Sequence, residues 1–183
     1  MKPFRARNHG LAAALLTLAV GGFLGGCSLF EGEDEDPYLK ACPQLVPVVD
    51  AMEVTRFQGS GRDLTDAEFE AGIVDVKGEC ELDDDEIATT MAVTLFARRG
   101  PADDDRRVSF RYFVAIADNF ENVLAREEFG VTLEFEGNRT QIGYRDEIEP
   151  TIPIKEGQSG RDFRIYVGLV LSAEELERNR QNR

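Results

Sequence analysis

Apolar and polar residues alternate along most of the chain between residues 69 and 171, the period-two pattern of half-buried β-strands. Ile87, Thr89, Met91, Val93 and Leu95 share one face of such a segment, and Val108, Phe110, Tyr112, Val114 and Ile116 share another. The pattern returns in Phe129, Val131, Leu133 and Phe135, in Ile148, Ile152 and Ile154, and in Phe163, Ile165, Val167, Leu169 and Leu171. Around Gly72 and Ile73 its phase slips, from Phe69, Ala71 and Ile73 to Val74 and Val76, which predicts a β-bulge. Turn-forming residues punctuate the segments at Leu82 to Glu86, Gly100 to Arg106, Asp118 to Asn122, Gly137-Asn138 and Gly157 to Gly160. Pro150 and Pro153 restrict their segment to an edge or a bulged strand, because proline donates no ladder hydrogen bond. The expected fold is all-β: about seven or eight strands in a two-sheet antiparallel sandwich of immunoglobulin or fibronectin type, with a small barrel as the alternative. Only the C-terminus reads as helix, about two turns long, where Ser172 and Glu175 form a capping box before a polar, fraying tail.

The N-terminus has another pattern. Residues 1–10 are polar and basic, and Leu11 to Phe23 form an apolar run of 13 residues. A bilayer span needs about 20, so the run has the length of an export signal. It ends in Leu24-Gly25-Gly26-Cys27, which resembles the lipobox of bacterial lipoproteins. The resemblance implies cleavage before Cys27, a diacylglyceryl group on its thiol and acylation of the new amine. The membrane is then a partner through lipid alone, since two or more acyl chains hold stably without a transmembrane helix. Ser28 stands where lipoproteins retained at an inner membrane commonly carry aspartate, so the resemblance points to the outer membrane, facing the periplasm.

Charge narrows the partners of the processed chain. The whole chain carries −14, and removing Lys2, Arg5 and Arg7 with the leader leaves 18 basic against 35 acidic residues. A body this acidic is repelled by nucleic acid and by anionic headgroups, which excludes nucleic acid as a partner. From Glu31 to Asp36 the sequence is Glu-Gly-Glu-Asp-Glu-Asp before Pro37, too charged to pack, and is expected to be a solvated spacer. The expected organisation is therefore a leader at 1–26, an acylated tether at 27–41, a sandwich at 42–171 and a helix with its tail at 172–183.

Once Cys27 is acylated, Cys42 and Cys80 are the remaining thiols of an exported chain, and a disulfide between them is expected. Zinc ligation is the rival reading, but the sole histidine, His9, lies in the leader and too few cysteines remain for a closed site. The same lack of histidine excludes histidine-based catalytic triads from the processed protein. Gly59-Ser60-Gly61 lacks a Walker lysine and a strand-to-helix setting, so no nucleotide loop is expected. The sequence implies no metal or cofactor.

Two loops carry the remaining candidate chemistry. Asp83, Asp84 and Asp85, with Asp118, are expected at one end of the sandwich, where converging oxygens make a weak calcium candidate. The segment from Arg98 to Arg107 sets Arg98, Arg99, Arg106 and Arg107 around an acidic tip. It reads either as a self-neutralising hairpin whose strand ends pair across it, or as a docking loop for another envelope protein. Phe57, Phe69, Phe96, Phe113, Phe120 and Tyr166 are expected in core or rim packing rather than on a sticky outer face. Lipobox, acidic spacer, Cys42-Pro43, Cys80 within strands and the Arg-Arg-Gly-Pro loop are together similar to lipoproteins of alphaproteobacteria, a likeness that brings no activity with it. The expected function is a non-enzymatic binding or structural module. The alternative is a carboxylate-dependent hydrolase or a calcium-stabilised carbohydrate binder.

Overall fold

The computed structural model describes residues 41–182; the leader, Cys27 and the spacer up to residue 40 lie outside the described residues. Nine strands occur in the order β1 (Gln44–Pro47), β2 (Glu53–Phe57), β3 (Ala67–Leu82), β4 (Glu86–Arg99), β5 (Arg107–Asp118), β6 (Val123–Glu134), β7 (Gln141–Ile148), β8 (Thr151–Pro153) and β9 (Phe163–Leu169). They form two sheets, one ordered β1-β9-β5-β6 and the other β2-β3-β4-β7, with β8 also on β4. All the pairings are antiparallel except β1 with β9, which is parallel. The all-β sandwich expected from the alternation is present, and it is not a barrel.

Each apolar set lands where its period places it. Ile87, Met91, Val93 and Leu95 of β4 meet Val108, Phe110, Tyr112, Val114 and Ile116 of β5 in one core, which Ile165, Val167 and Leu169 complete. The predicted bulge lies between Ile73 and Asp75, where the β3–β4 register shifts. Val74 is the extra residue and stands in solvent, while Val76 beyond it packs against the core again. The bulge thus keeps both halves of a 16-residue strand facing inward. Pro150 breaks the β4 edge into two partners: β7 ends at Ile148, and the three-residue β8 resumes after it with Ile152 buried.

Two interactions tie the sheets together at opposite lateral sides. Cys42 and Cys80 form the expected disulfide, with Cα atoms 5.7 Å apart, joining the segment before β1 to the far part of β3. Toward the other side, the fully buried Tyr112 of β5 reaches across the core and donates its hydroxyl to Asp146 Oδ2 of β7 at 2.9 Å. Burial, reinforced by that carboxylate, pushes the phenol far above its ordinary value, so Tyr112 remains the donor at any physiological pH.

The C-terminal helix α1 (Ala173–Gln181) begins at the predicted box, with Glu175 N–H donating to Ser172 Oγ and Ser172 N–H to Glu175 Oε2. Its nine residues agree with the short helix expected. Asn179 in its last turn donates to the carbonyls of Asp50 and Glu53 at 2.9 and 2.7 Å and fastens α1 beside β2.

Replacing both Cys42 and Cys80 by serine is expected to lower stability by up to about 4 kcal/mol, the loop-entropy contribution of a crosslink of this separation, as measured by urea unfolding. Tyr112→Phe removes a hydrogen bond to a charged acceptor and is expected to cost about 1.5 to 3 kcal/mol in the same measurement. A loss within error of zero would show that water replaces the hydroxyl at Asp146.

Candidate functional site

The segment from Arg98 to Arg107 is not a hairpin. β4 and β5 belong to different sheets, so residues 100–106 cross from one layer of the sandwich to the other. The strand-end arginines consequently pair with their own sheets and not with each other: Arg98 with Glu70 of β3 at 2.9 Å, and Arg107 with Glu134 of β6 at 4.0 Å. Inside the crossover, Arg99 forms an ion pair with Asp103, whose side chain is almost fully buried. Asp103 also accepts from the Arg106 amide at 3.0 Å, in a turn where Arg106 adopts φ 59°. The Arg106 side chain donates to the Phe135 carbonyl at 3.1 Å. Gly100 backs onto Ala67 so closely that a Cβ would collide with the Ala67 carbonyl. Arg99 and Arg106 thus hold the crossover, while Arg98 and Arg107 pair within their own sheets, so the expected pairing of strand ends across a hairpin does not occur.

The acidic candidates stay apart as well. Asp118 binds its own turn: Oδ1 accepts from the amides of Phe120 and Asn122, and Oδ2 from the Asn122 side chain, each at 2.9 Å. Those bonds, led by the Asn122 side chain, hold its carboxyl below the ordinary value. Among the described residues no three acidic or thiol side chains come together as a metal site, with Asp83, Asp84 and Asp85 or elsewhere. Of the six aromatics, Phe69 is buried and Phe57, Phe96, Phe113 and Tyr166 are partly buried on the sheet faces. Phe113 has the Arg126 guanidinium 4.5 Å above its ring, and Tyr166 donates to Glu121 at 2.7 Å. Phe120 is the exception, at 86% exposure.

A different surface emerges where the alternation fades. β6 ends one sheet and β7 the other, so among the described residues both strands have one edge without a strand partner, and they lie on the same side of the sandwich. Between them opens a cleft of about 270 Å³ lined by Val114, Ile116, Ala125, Phe129, Ile148 and Pro150. Its origin is local. Register places Ala125 and Glu127 of β6 opposite Ile116 and Val114, on the inward face, where larger apolar residues would have filled the gap between the layers. On the facing edge β7 ends at Ile148, and Pro150, whose carbonyl accepts from the Thr89 amide of β4 at 3.0 Å, separates it from β8 at the same level. Phe129 forms the floor, stacked on Tyr112 with centroids 5.1 Å apart. Glu127 and Glu149 stand at the rim, while Arg126, also in the lining, is tied to Glu128 at 2.9 Å.

This surface can bind without doing covalent chemistry. An unpaired strand edge offers its amides and carbonyls to an extended chain, and an apolar slot beside it takes alternate side chains of that chain. An inward-facing charge such as Glu127 discourages indiscriminate pairing at an edge, so a segment that docks there must satisfy the carboxylate. The alternation marks Val114, Ile116, Phe129 and Ile148 as core and not as a cleft; the signal in the sequence is the missing large apolar residue at positions 125 and 127 of an otherwise inward-facing row.

Comparison with known proteins adds no relative: no protein-family model matches the chain, and neither a curated protein nor a solved structure is significantly similar to it.

Proposed function

We propose that the protein is a lipid-anchored lipoprotein of the cell envelope, attached through Cys27, whose sandwich binds an extended segment of another envelope protein along β6. The anchor half of this reading rests on Leu24-Gly25-Gly26-Cys27 at the end of a short apolar run. The binding half rests on one observation: a 12-residue edge strand borders an open apolar cleft between the sheets. Glu127 and Glu149 at the rim favour a segment that alternates apolar and basic residues, since charge complementarity steers encounter and sets register. Attachment by lipid keeps the domain at the surface where such partners reside and leaves both sheets in water.

The two halves are tested separately. Mass analysis of protein taken from membranes is expected to show an N-terminal peptide beginning at Cys27 and carrying acyl mass, and Cys27→Ser is expected to leave the chain unprocessed or soluble. A native chain that starts downstream of Cys27 without lipid ends the anchor reading.

For the binding half, a photoreactive residue replacing Ala125 in intact cells is expected to crosslink to one discrete partner, and the same residue replacing Leu64 to none. Glu127→Lys is expected to weaken that complex about tenfold, about 1.4 kcal/mol, without changing the unfolding midpoint. Equal crosslinking from both positions would remove the assignment to β6.

A further inference from the structure

Phe120, Val123 and Leu124 expose large apolar side chains within five residues, at 86%, 62% and 54%. Scattered apolar residues are ordinary on a protein surface, but these three fall together at the tip of one hairpin. The tip lies at the end of the sandwich where the chain enters from Cys27. Asn119 donates to Asp162 Oδ1 at 3.3 Å, and Gly160, in the same 3-10 turn as Asp162, abuts the Ala41 carbonyl so closely that a Cβ there would collide with it. Strand direction agrees: β4 runs away from this end, residues 100–106 cross over at the far end, and β5 returns to it.

Three amides of the tip and the Glu121 carboxylate are already bonded within the domain. The amides of Phe120 and Asn122 donate to Asp118 Oδ1, and that of Glu121 to the Asp118 carbonyl at 3.1 Å. Glu121 accepts from Arg164 at 3.2 Å and from Tyr166 at 2.7 Å. Those three amides keep their partners when Phe120 leaves water, which lowers the cost of placing the turn against lipid. Thirteen residues lie between Cys27 and Ala41, and the fourteen steps from one to the other span at most about 50 Å when extended, so an anchored chain keeps this end near the bilayer.

We propose that the β5–β6 hairpin tip, led by Phe120, makes a second contact with the bilayer and orients the tethered domain on it. The surface it fits is zwitterionic. The Asp83 to Glu86 turn at the same end and the acidic residues 31–36 repel anionic headgroups. The inference rests on the lipid anchor and goes beyond it, because an anchor alone leaves the domain free to turn.

The chain contains no tryptophan, so Phe120→Trp introduces a single fluorescent reporter. Leu64→Trp, at an equally exposed site at the opposite end, is the control. Full-length acylated protein is reconstituted on phosphatidylcholine vesicles with and without brominated acyl chains. The Phe120→Trp emission is expected to shift to the blue and to be quenched by bromine, and the Leu64→Trp emission to do neither. Including phosphatidylglycerol is expected to reduce the quenching; an increase would overturn the assignment to a zwitterionic surface. Vesicle-bound, acylated protein with an unquenched Phe120→Trp overturns the tip contact and leaves the anchor standing. Protein that lacks acyl mass at Cys27 and stays off the vesicles overturns both. Shielding of Phe120→Trp in native membranes but not on pure lipid assigns the tip to a protein and overturns the lipid contact.

Discussion

Everything in this domain depends on two sheets burying their inner faces against each other, and on how completely each side of that contact is closed. β4 and β5 supply the centre, each with an uninterrupted inward row. On one side β1 joins β9 in parallel and the Cys42–Cys80 bond clamps the layers together. On the other, Tyr112–Asp146 crosses, and beyond it the inward row of β6 dwindles to Ala125 and Glu127. A domain held firmly at one side and left open at the other has a natural place to accept a strand. Burial of the core does not depend on that place being filled.

Charge is distributed in keeping with this division. The basic residues, outnumbered by acids, are engaged locally: Arg99 and Arg106 hold the crossover, Arg98 and Arg107 pair with Glu70 and Glu134 in their own sheets, Arg126 covers Phe113, and Arg56 and Arg62 bind Glu175 and Glu174 of α1. Surface ion pairs contribute little individually to stability. Their effect here is on shape, because they fix the crossover and the helix against the sheets and leave the excess acid unneutralised in solvent. Glu127 and Glu149 belong to that excess, which gives the open side its preference among partners.

The strands buried on an inner face were legible because a period of two survives wherever one side meets the core. The bulge at Val74 was legible for the same reason, as a slip in a phase that both halves of β3 must keep. β1 and β2 are short, proline-flanked or charged, and exist because β9 and β3 offer them an edge, which no local pattern records. The arginine loop misled in a specific way. Its symmetry of basic pairs suggested a hairpin, whereas hydrogen bonding places the flanking strands in different sheets, so each pair met a different acid.

Composition and local pattern by themselves determined the alternation that makes this a sandwich, the positions of its turns, the helix cap at Ser172, the absence of histidine chemistry downstream of His9, and the lipobox-like end of the leader. These are properties of residues and their near neighbours. Tertiary structure alone decided which strand edges remain open, that Phe120 points away from every packed surface while five other aromatics do not, and that the hairpin carrying it shares an end with Ala41. Those outcomes depend on sheet order and on which residues meet across long separations. The physical reason is that a strand carries its facing preference in its own side chains, but its partner is chosen by the whole chain.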